Sequence, residues 1–207
     1  MNVRLIPYGM HAVMAEYGSL ADVMAAAAAL RAADLPAVEE IIPGARTLLV
    51  QYHGSQPEAL PTLLTQRYEV SPSDGQLIEV AVRYDGPDLD AVAAALGMQR
   101  DVVIELHSAT TYFAAFCGFA PGFAYLSGLP QALHLPRRST PRTLVPAGSL
   151  AMASEFTGVY PTASPGGWHL LGSVDVAMFD AAREPAALIA PGDRVRFVPQ
   201  PVLQTSV

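Results

Sequence analysis

Lysine is absent from this chain of 207 residues, so all 12 of its basic residues are arginines. That removes Schiff-base chemistry, a Ser–Lys dyad and the lysine that a Walker A loop sends to a nucleotide phosphate. Cysteine occurs once, at Cys117. One cysteine cannot make an internal disulfide or a two-cysteine zinc or redox motif, and within AAFCGFA it reads as a small buried apolar residue. Charge is also scarce, at 15% of residues, and its balance is −7. An acidic chain without a basic helix argues against nucleic acid as a main partner. No apolar run approaches the roughly 18 to 20 residues that span a bilayer. The Met1 end lacks a signal-peptide pattern, and a cytoplasmic protein is expected. His134 and His169 lack metal-ligand spacing such as HExxH, so no metal site is expected.

What is present is apolar: 51% of the residues, enough for a substantial core. Val3 to Pro7, Ala12 to Glu16, Val38 to Ile42, Thr47 to Tyr52 and Leu77 to Arg83 are predicted strands. Ser19 is a predicted N-cap for a helix over 20–33, stopped by Pro36, and a second helix is predicted over about 58–68. This order implies an α+β N-terminal domain over 1–85, with helices on one face of its sheet. Tyr84-Asp85-Gly86-Pro87 marks the expected boundary. Beyond it, Asp88 is expected to cap a short helix ending at Gly97, and another helix spans about Arg100 to His107. Thr111 to Cys117, Thr143 to Val145, Ser149 to Ala153, His169 to Leu171, Val174 to Phe179 and Arg194 to Pro199 then read as short strands of a barrel or sandwich over 86–207.

Between Gly118 and Trp168 lie 7 Gly and 7 Pro, interleaved with Phe119, Phe123, Tyr125, Phe156, Tyr160 and Trp168. Flexible linkers lack such aromatics, so the pattern points to pinned turns between short strands. The stretch Cys117 to Gly172 holds Arg137, Arg138 and Arg142 against Glu155 alone. A basic, aromatic, restricted surface on an acidic chain is where an anionic ligand or partner is expected. Pro136 and Pro141 stiffen the PRRxxPR phrase, which lowers the entropy lost when an arginine grips a carboxylate or phosphate. Ser149, Thr157 and Tyr160 supply hydroxyls near glycines. Without a GxSxG elbow they read as hydrogen-bonding groups rather than nucleophiles.

GFAPGFAYLSGLP, PRRSTPRTLVPAGSL, TGVYP and SPGGW, in that order, resemble the allophanate hydrolase subunit 1 family. The resemblance implies an N-terminal α/β domain and a cyclophilin-like β-barrel. It further implies an ATP-dependent cyclic amide hydrolase component, inactive alone, that works with subunits A and C of 5-oxoprolinase to open 5-oxo-L-proline to L-glutamate. Within the same family the alternatives are a KipI-like inhibitor of a sensor histidine kinase and a part in allophanate or urea degradation. His107 ends its helix either as a dipole-favoured structural residue or as the general base that the resemblance implies. His107, Arg142 and Tyr160 are the expected catalytic residues; Tyr125, Arg137, Ser149 and Thr157 are expected to bind substrate. His107, Tyr125, Arg142, Ser149 and Tyr160 are expected to face one groove. Gly172-Ser173-Val174 and Phe156-Thr157 depart from the family pattern, losing a basic residue, a hydroxyl and a glutamine.

Overall fold

Alternation shapes the first of the two units into which the chain divides, Met1–Pro72 and Ser73–Val207. The structure, a computed structural model, describes residues 3–69 and 75–201. In the first unit β1 (Arg4–Pro7), β2 (Ala12–Glu16), β3 (Val38–Pro43) and β4 (Thr47–Tyr52) pair antiparallel in the order β1-β2-β4-β3. Along β4, Leu48, Val50 and Tyr52 are buried while the residues between them are less so, as a half-buried strand requires. Helix α1 (Leu20–Ala33) starts where Ser19 Oγ accepts the Asp22 N–H at 3.2 Å. It stops at Asp34, which is left-handed at φ 43°. Val23, Ala26, Ala27 and Leu30 of α1, with Leu60 and Leu64 of α2 (Leu60–Thr65), complete the core above the sheet. Helix α2 is shorter than the predicted span. Pro61 confines its start to the first turn, and Gln66 is already extended.

The second unit contains β5 (Leu77–Val82), α3 (Leu89–Leu96), α4 (Arg100–Ser108), β6 (Thr111–Cys117), β7 (Ala124–Ser127), β8 (Arg142–Val145) and β9 (Ser149–Ala153). It continues with β10 (Phe156–Val159), β11 (Ser164–Gly166), β12 (His169–Ser173) and β13 (Arg194–Pro199). Seven of these strands form one sheet, in the order β12-β9-β10-β7-β6-β13-β5, and β8 with β11 makes a separate ribbon. Only the β5–β13 pairing is parallel among those in the large sheet.

The sheet nearly closes on itself. Arg83 and Ser173 exchange both backbone hydrogen bonds, at 2.9 and 2.8 Å. The N–H groups of Gly86 and Asp88 reach Leu171 O and Leu170 O, each at 3.1 Å. Both seam glycines are required, since a methyl group on Gly86 would collide with Leu170 O and one on Gly172 with Arg83 O. Ser173 Oγ donates to the Asp85 carboxylate at 2.9 Å. Gly172 and Ser173 are therefore the closing stitch of this barrel-like sheet.

This seam moves the boundary. Leu77–Val82 was assigned to the first domain from the sequence, but β5 pairs along its whole length with β13, so the division falls at residue 72 rather than 85. Strands β7, β10 and β11 were not foreseen. Val174 to Phe179, expected to be a strand, holds only a Phe179–Ala187 bridge. Its first N–H is taken by Gly148 O and the Asp175 carboxylate by Arg83. Leu89, Val92 and Val103 fill the interior with Tyr112, Leu126, Met152, Val195 and Phe197. Among the described residues, no helix is long and apolar enough to cross a membrane.

Candidate functional site

Successive side chains on a strand point to opposite faces, and β6, β7 and β10 use both. Tyr112, Ala114, Ala124, Leu126 and Val159 join the interior core. Tyr125 and Phe156 take the alternate positions of their strands, and Phe116 joins them on the other face because a bulge between Ala114 and Phe116 shifts the register of β6. Tyr125 stacks on Phe116 with centroids 4.4 Å apart and meets Phe156 edge-on at 5.7 Å. Trp168 lies edge-on to Phe123 and Tyr125, at 5.4 and 5.6 Å. Tyr160 meets Phe123 at 5.5 Å and Phe119 at 6.0 Å. Seven of the chain's 16 aromatic residues thus form one outer cluster.

Phe119 marks its open end. It is 60% exposed and sits in the left-handed region at φ 72°, a conformation costing a non-glycine residue about 1 kcal/mol or more. The turn is held by Gly118 N–H to Phe123 O at 3.2 Å and Phe123 N–H to Ala120 O at 3.0 Å. Burial pushes the Tyr160 phenol upward, while the Trp168 N–H and the charges of Arg137 and Arg142 pull the other way. Gly166 gives the hydroxyl its room, because a methyl group there would overlap it.

The arginines divide into anchored and free. Asp88, only 3% exposed, accepts two bonds from Arg142, at 2.8 and 2.7 Å, and one from Arg138 at 2.8 Å. The Leu170 N–H adds a fourth at 2.7 Å. Burial raises the Asp88 carboxyl, but the Arg142 and Leu170 bonds and the two positive charges outweigh it, leaving it below its ordinary value. Its side chain does not cap α3 as expected, because the arginines occupy both oxygens. Arg142, an expected catalytic residue, already holds a carboxylate in its fork. Arg137 is exposed and makes no hydrogen bond or ion pair among the described residues.

Two expected site residues, His107 and Thr157, are turned away from this face. His107 is fully buried, with Nδ1 2.9 Å from the Tyr84 hydroxyl and Nε2 2.9 Å from Thr157 Oγ1. Thr157 donates its own proton to Ala151 O at 2.9 Å, so His107 Nε2–H donates to Thr157 and Nδ1 accepts from Tyr84. Both ring nitrogens are satisfied, and burial lowers the imidazole pKa to about 3. The imidazole is closed to solvent and held neutral, as the structural alternative for this helix end requires, and Thr157 belongs to the same interior chain. Ser149 Oγ donates to Pro146 O at 2.8 Å, while its backbone carbonyl accepts the Tyr160 N–H. It positions Tyr160 by main chain alone. Of the expected residues, Tyr125 and Tyr160 share the aromatic cluster through Phe123, with Tyr160 3% exposed, and Arg137 precedes the residue whose N–H bonds Gly167 O. Asp88 and Phe119 were missed. The signal for Asp88 was present in the arginines of PRRxxPR, two of which, Arg138 and Arg142, share its carboxylate.

Similarity to known proteins agrees with this architecture. The family model of the carboxyltransferase domain, subdomain C and D, matches residues 3–189, and the chain belongs to this family. It is similar to the B subunit of 5-oxoprolinase from Escherichia coli O157:H7, at 46% identity over 180 residues covering 83% of each chain. The like-named protein of Haemophilus influenzae is 44% identical over 133 residues, 63% of this chain and 62% of that one. Among solved structures it resembles TTHA0988, with TM-score 0.79 and 35% identity over 95% of this chain. The chain spans 41% of TTHA0988. The urea carboxylase of Kluyveromyces lactis shares the fold, with TM-score 0.68 at 16% identity over 96% of this chain and 22% of that one.

Proposed function

We propose that this chain is the B subunit of an ATP-dependent 5-oxoprolinase and that its second unit is a cyclophilin-like barrel. The observation that carries this reading is the 46% identity to the E. coli protein so named, over 83% of both chains. The reaction it serves is the opening of the five-membered lactam of 5-oxo-L-proline to L-glutamate. A lactam carbonyl is a poor electrophile. Transfer of the ATP γ-phosphoryl to its oxygen, with ADP leaving, makes the carbon open to water. Water adds to that carbon and the C–N bond breaks as the ring nitrogen takes a proton, leaving an acyl phosphate that a second water hydrolyses to the carboxylate and phosphate. Positive side chains near the transferring group offset its charge.

The chain has no lysine and no P-loop, so ATP is proposed to bind with a partner subunit, and subunits A and C are the partners expected. Tyr160 and Arg137 are the residues proposed to face substrate, with Arg142 behind them. The test is an ATPase assay of this protein mixed with A and C. Hydrolysis that depends on 5-oxo-L-proline and on all three proteins is expected. Its absence in a mixture whose assembly is verified by light scattering contradicts the assignment.

A further inference from the structure

The loop between Leu133 and β8 is tied down on both sides of Arg137. Leu135 O accepts the Ser154 N–H at 2.6 Å. Pro136 O accepts His169 Nε2–H at 2.9 Å. Arg138 donates its N–H to Gly167 O at 2.8 Å and its guanidinium to Asp88. Arg142 closes the segment with its two bonds to Asp88. Arg137 stands between two of these ties with its guanidinium in solvent and unpaired among the described residues.

A surface arginine on a mobile loop loses much entropy when it takes a ligand; one on a pinned backbone loses less. The Asp88 carboxylate neutralises one of the two anchored arginines, so the positive charge around the loop is not cancelled. The loop lies along the outer aromatic face, since Arg138 N–H bonds Gly167 O at 2.8 Å and the adjacent Gly166 packs against the Tyr160 hydroxyl. The flat rings there are Phe119, which is exposed, and Tyr125, which is half-buried.

We propose that Arg137 is the specificity-determining residue of this face, receiving the carboxylate of a small cyclic acid whose ring lies against Phe119 and Tyr125 and whose carbonyl oxygen takes the Tyr160 hydroxyl proton in a hydrogen bond. Arg138 and Arg142, held by Asp88, are positioning residues. The choice of a lactam acid rests on the 5-oxoprolinase reading; the anion site rests on the loop geometry alone.

The chain carries its own reporter. Trp168 is its one tryptophan and packs against Tyr125. Titrating the full chain with 5-oxo-L-proline, with pyrrolidin-2-one (the same ring without the carboxylate) and with inorganic phosphate, while following Trp168 emission, separates the cases. A saturable change with 5-oxo-L-proline is expected. Pyrrolidin-2-one, and 5-oxo-L-proline on Arg137→Ala, should bind about thirtyfold more weakly or worse. Arg137→Lys should fall between, since it keeps charge without the fork. The exposed Arg67→Ala serves as control and should match the parent. Equal affinity in Arg137→Ala and parent overturns the proposal, as does equal binding of the two lactams or no saturable change with any probe. A response to phosphate alone, lost in Arg137→Ala, overturns the carboxylate class in favour of a phosphoryl group. None of these results depends on ATP hydrolysis, so failure here and failure of the 5-oxoprolinase assignment are read from different experiments.

Discussion

Strands β6, β7 and β10 carry opposite kinds of site on their two faces. Inside, His107, Tyr84 and Thr157 form a closed hydrogen-bond chain that ends on Ala151 O. Phe197 stacks on the imidazole at 5.2 Å. Every polar atom of that chain has its partner, so nothing is left with which to address a ligand. Outside, aromatic rings are packed as tightly, yet Arg137 is unpaired among the described residues and Phe119 is held exposed in a left-handed conformation. A fully satisfied polar network rigidifies a core; an unsatisfied cation on a pinned backbone awaits a partner. Residue type alone does not separate the two, since each face has tyrosines.

The sharpest way to break this comparison is His107→Ala. It removes a buried ring and leaves the Tyr84 hydroxyl without its acceptor, and should cost about 3–5 kcal/mol in urea unfolding. The remaining folded protein should keep its Trp168 response. Asp88→Asn comes next. It leaves two half-buried guanidiniums without a countercharge and should cost about 2–3 kcal/mol, while loosening the loop that presents Arg137. Unlike His107→Ala, it should weaken 5-oxo-L-proline binding as well as stability.

Acid provides a third test, confined to the interior. His107 titrates at about 3 when folded, against an ordinary value of 6.5, so between these pH values the unfolded chain binds the extra proton. Stability should therefore fall as pH drops below 6.5, by about 2 kcal/mol at pH 5. The depressed Asp88 carboxyl adds its loss only at pH below about 4. Urea melts of the parent that do not change between pH 7 and 5 contradict the neutral buried imidazole. The smallest effect on stability belongs to Gly166→Ala. Its methyl group displaces the Tyr160 hydroxyl at a cost of about 1 kcal/mol, yet ligand affinity should drop about tenfold, because the hydroxyl is moved rather than removed.

Much of the first unit was legible because its signals are local. Ser19 and the run of apolar residues after it define α1 from end to end, and alternation marks β2 and β4. The barrel strands β7 and β10 escaped because Ala124–Ser127 and Phe156–Val159 are four residues long and set among glycines. The parallel pairing of β5 with β13 spans more than a hundred residues of sequence, which no local pattern records. The expected groove mixed the two faces for a related reason. Unless β10 is known to be a strand, period two cannot separate Thr157, which points in, from Phe156, which points out. Arg142, expected to be catalytic, opens β8, and that rigid position is what lets it hold Asp88.

The most direct test sets one residue of each face against the other in the assembled enzyme. Tyr160→Phe and His107→Gln are assayed for 5-oxo-L-proline-dependent ATP hydrolysis with subunits A and C, at pH 7 and a temperature where circular dichroism shows both variants folded. Tyr160→Phe should lower kcat/KM about tenfold or more, the loss of one hydrogen bond to a charged or developing charged group. His107→Gln should stay within about threefold of the parent while melting at a lower temperature. The reverse pattern, with Tyr160→Phe fully active and His107→Gln folded but dead, would place the chemistry inside the barrel and contradict the assignment of the two faces.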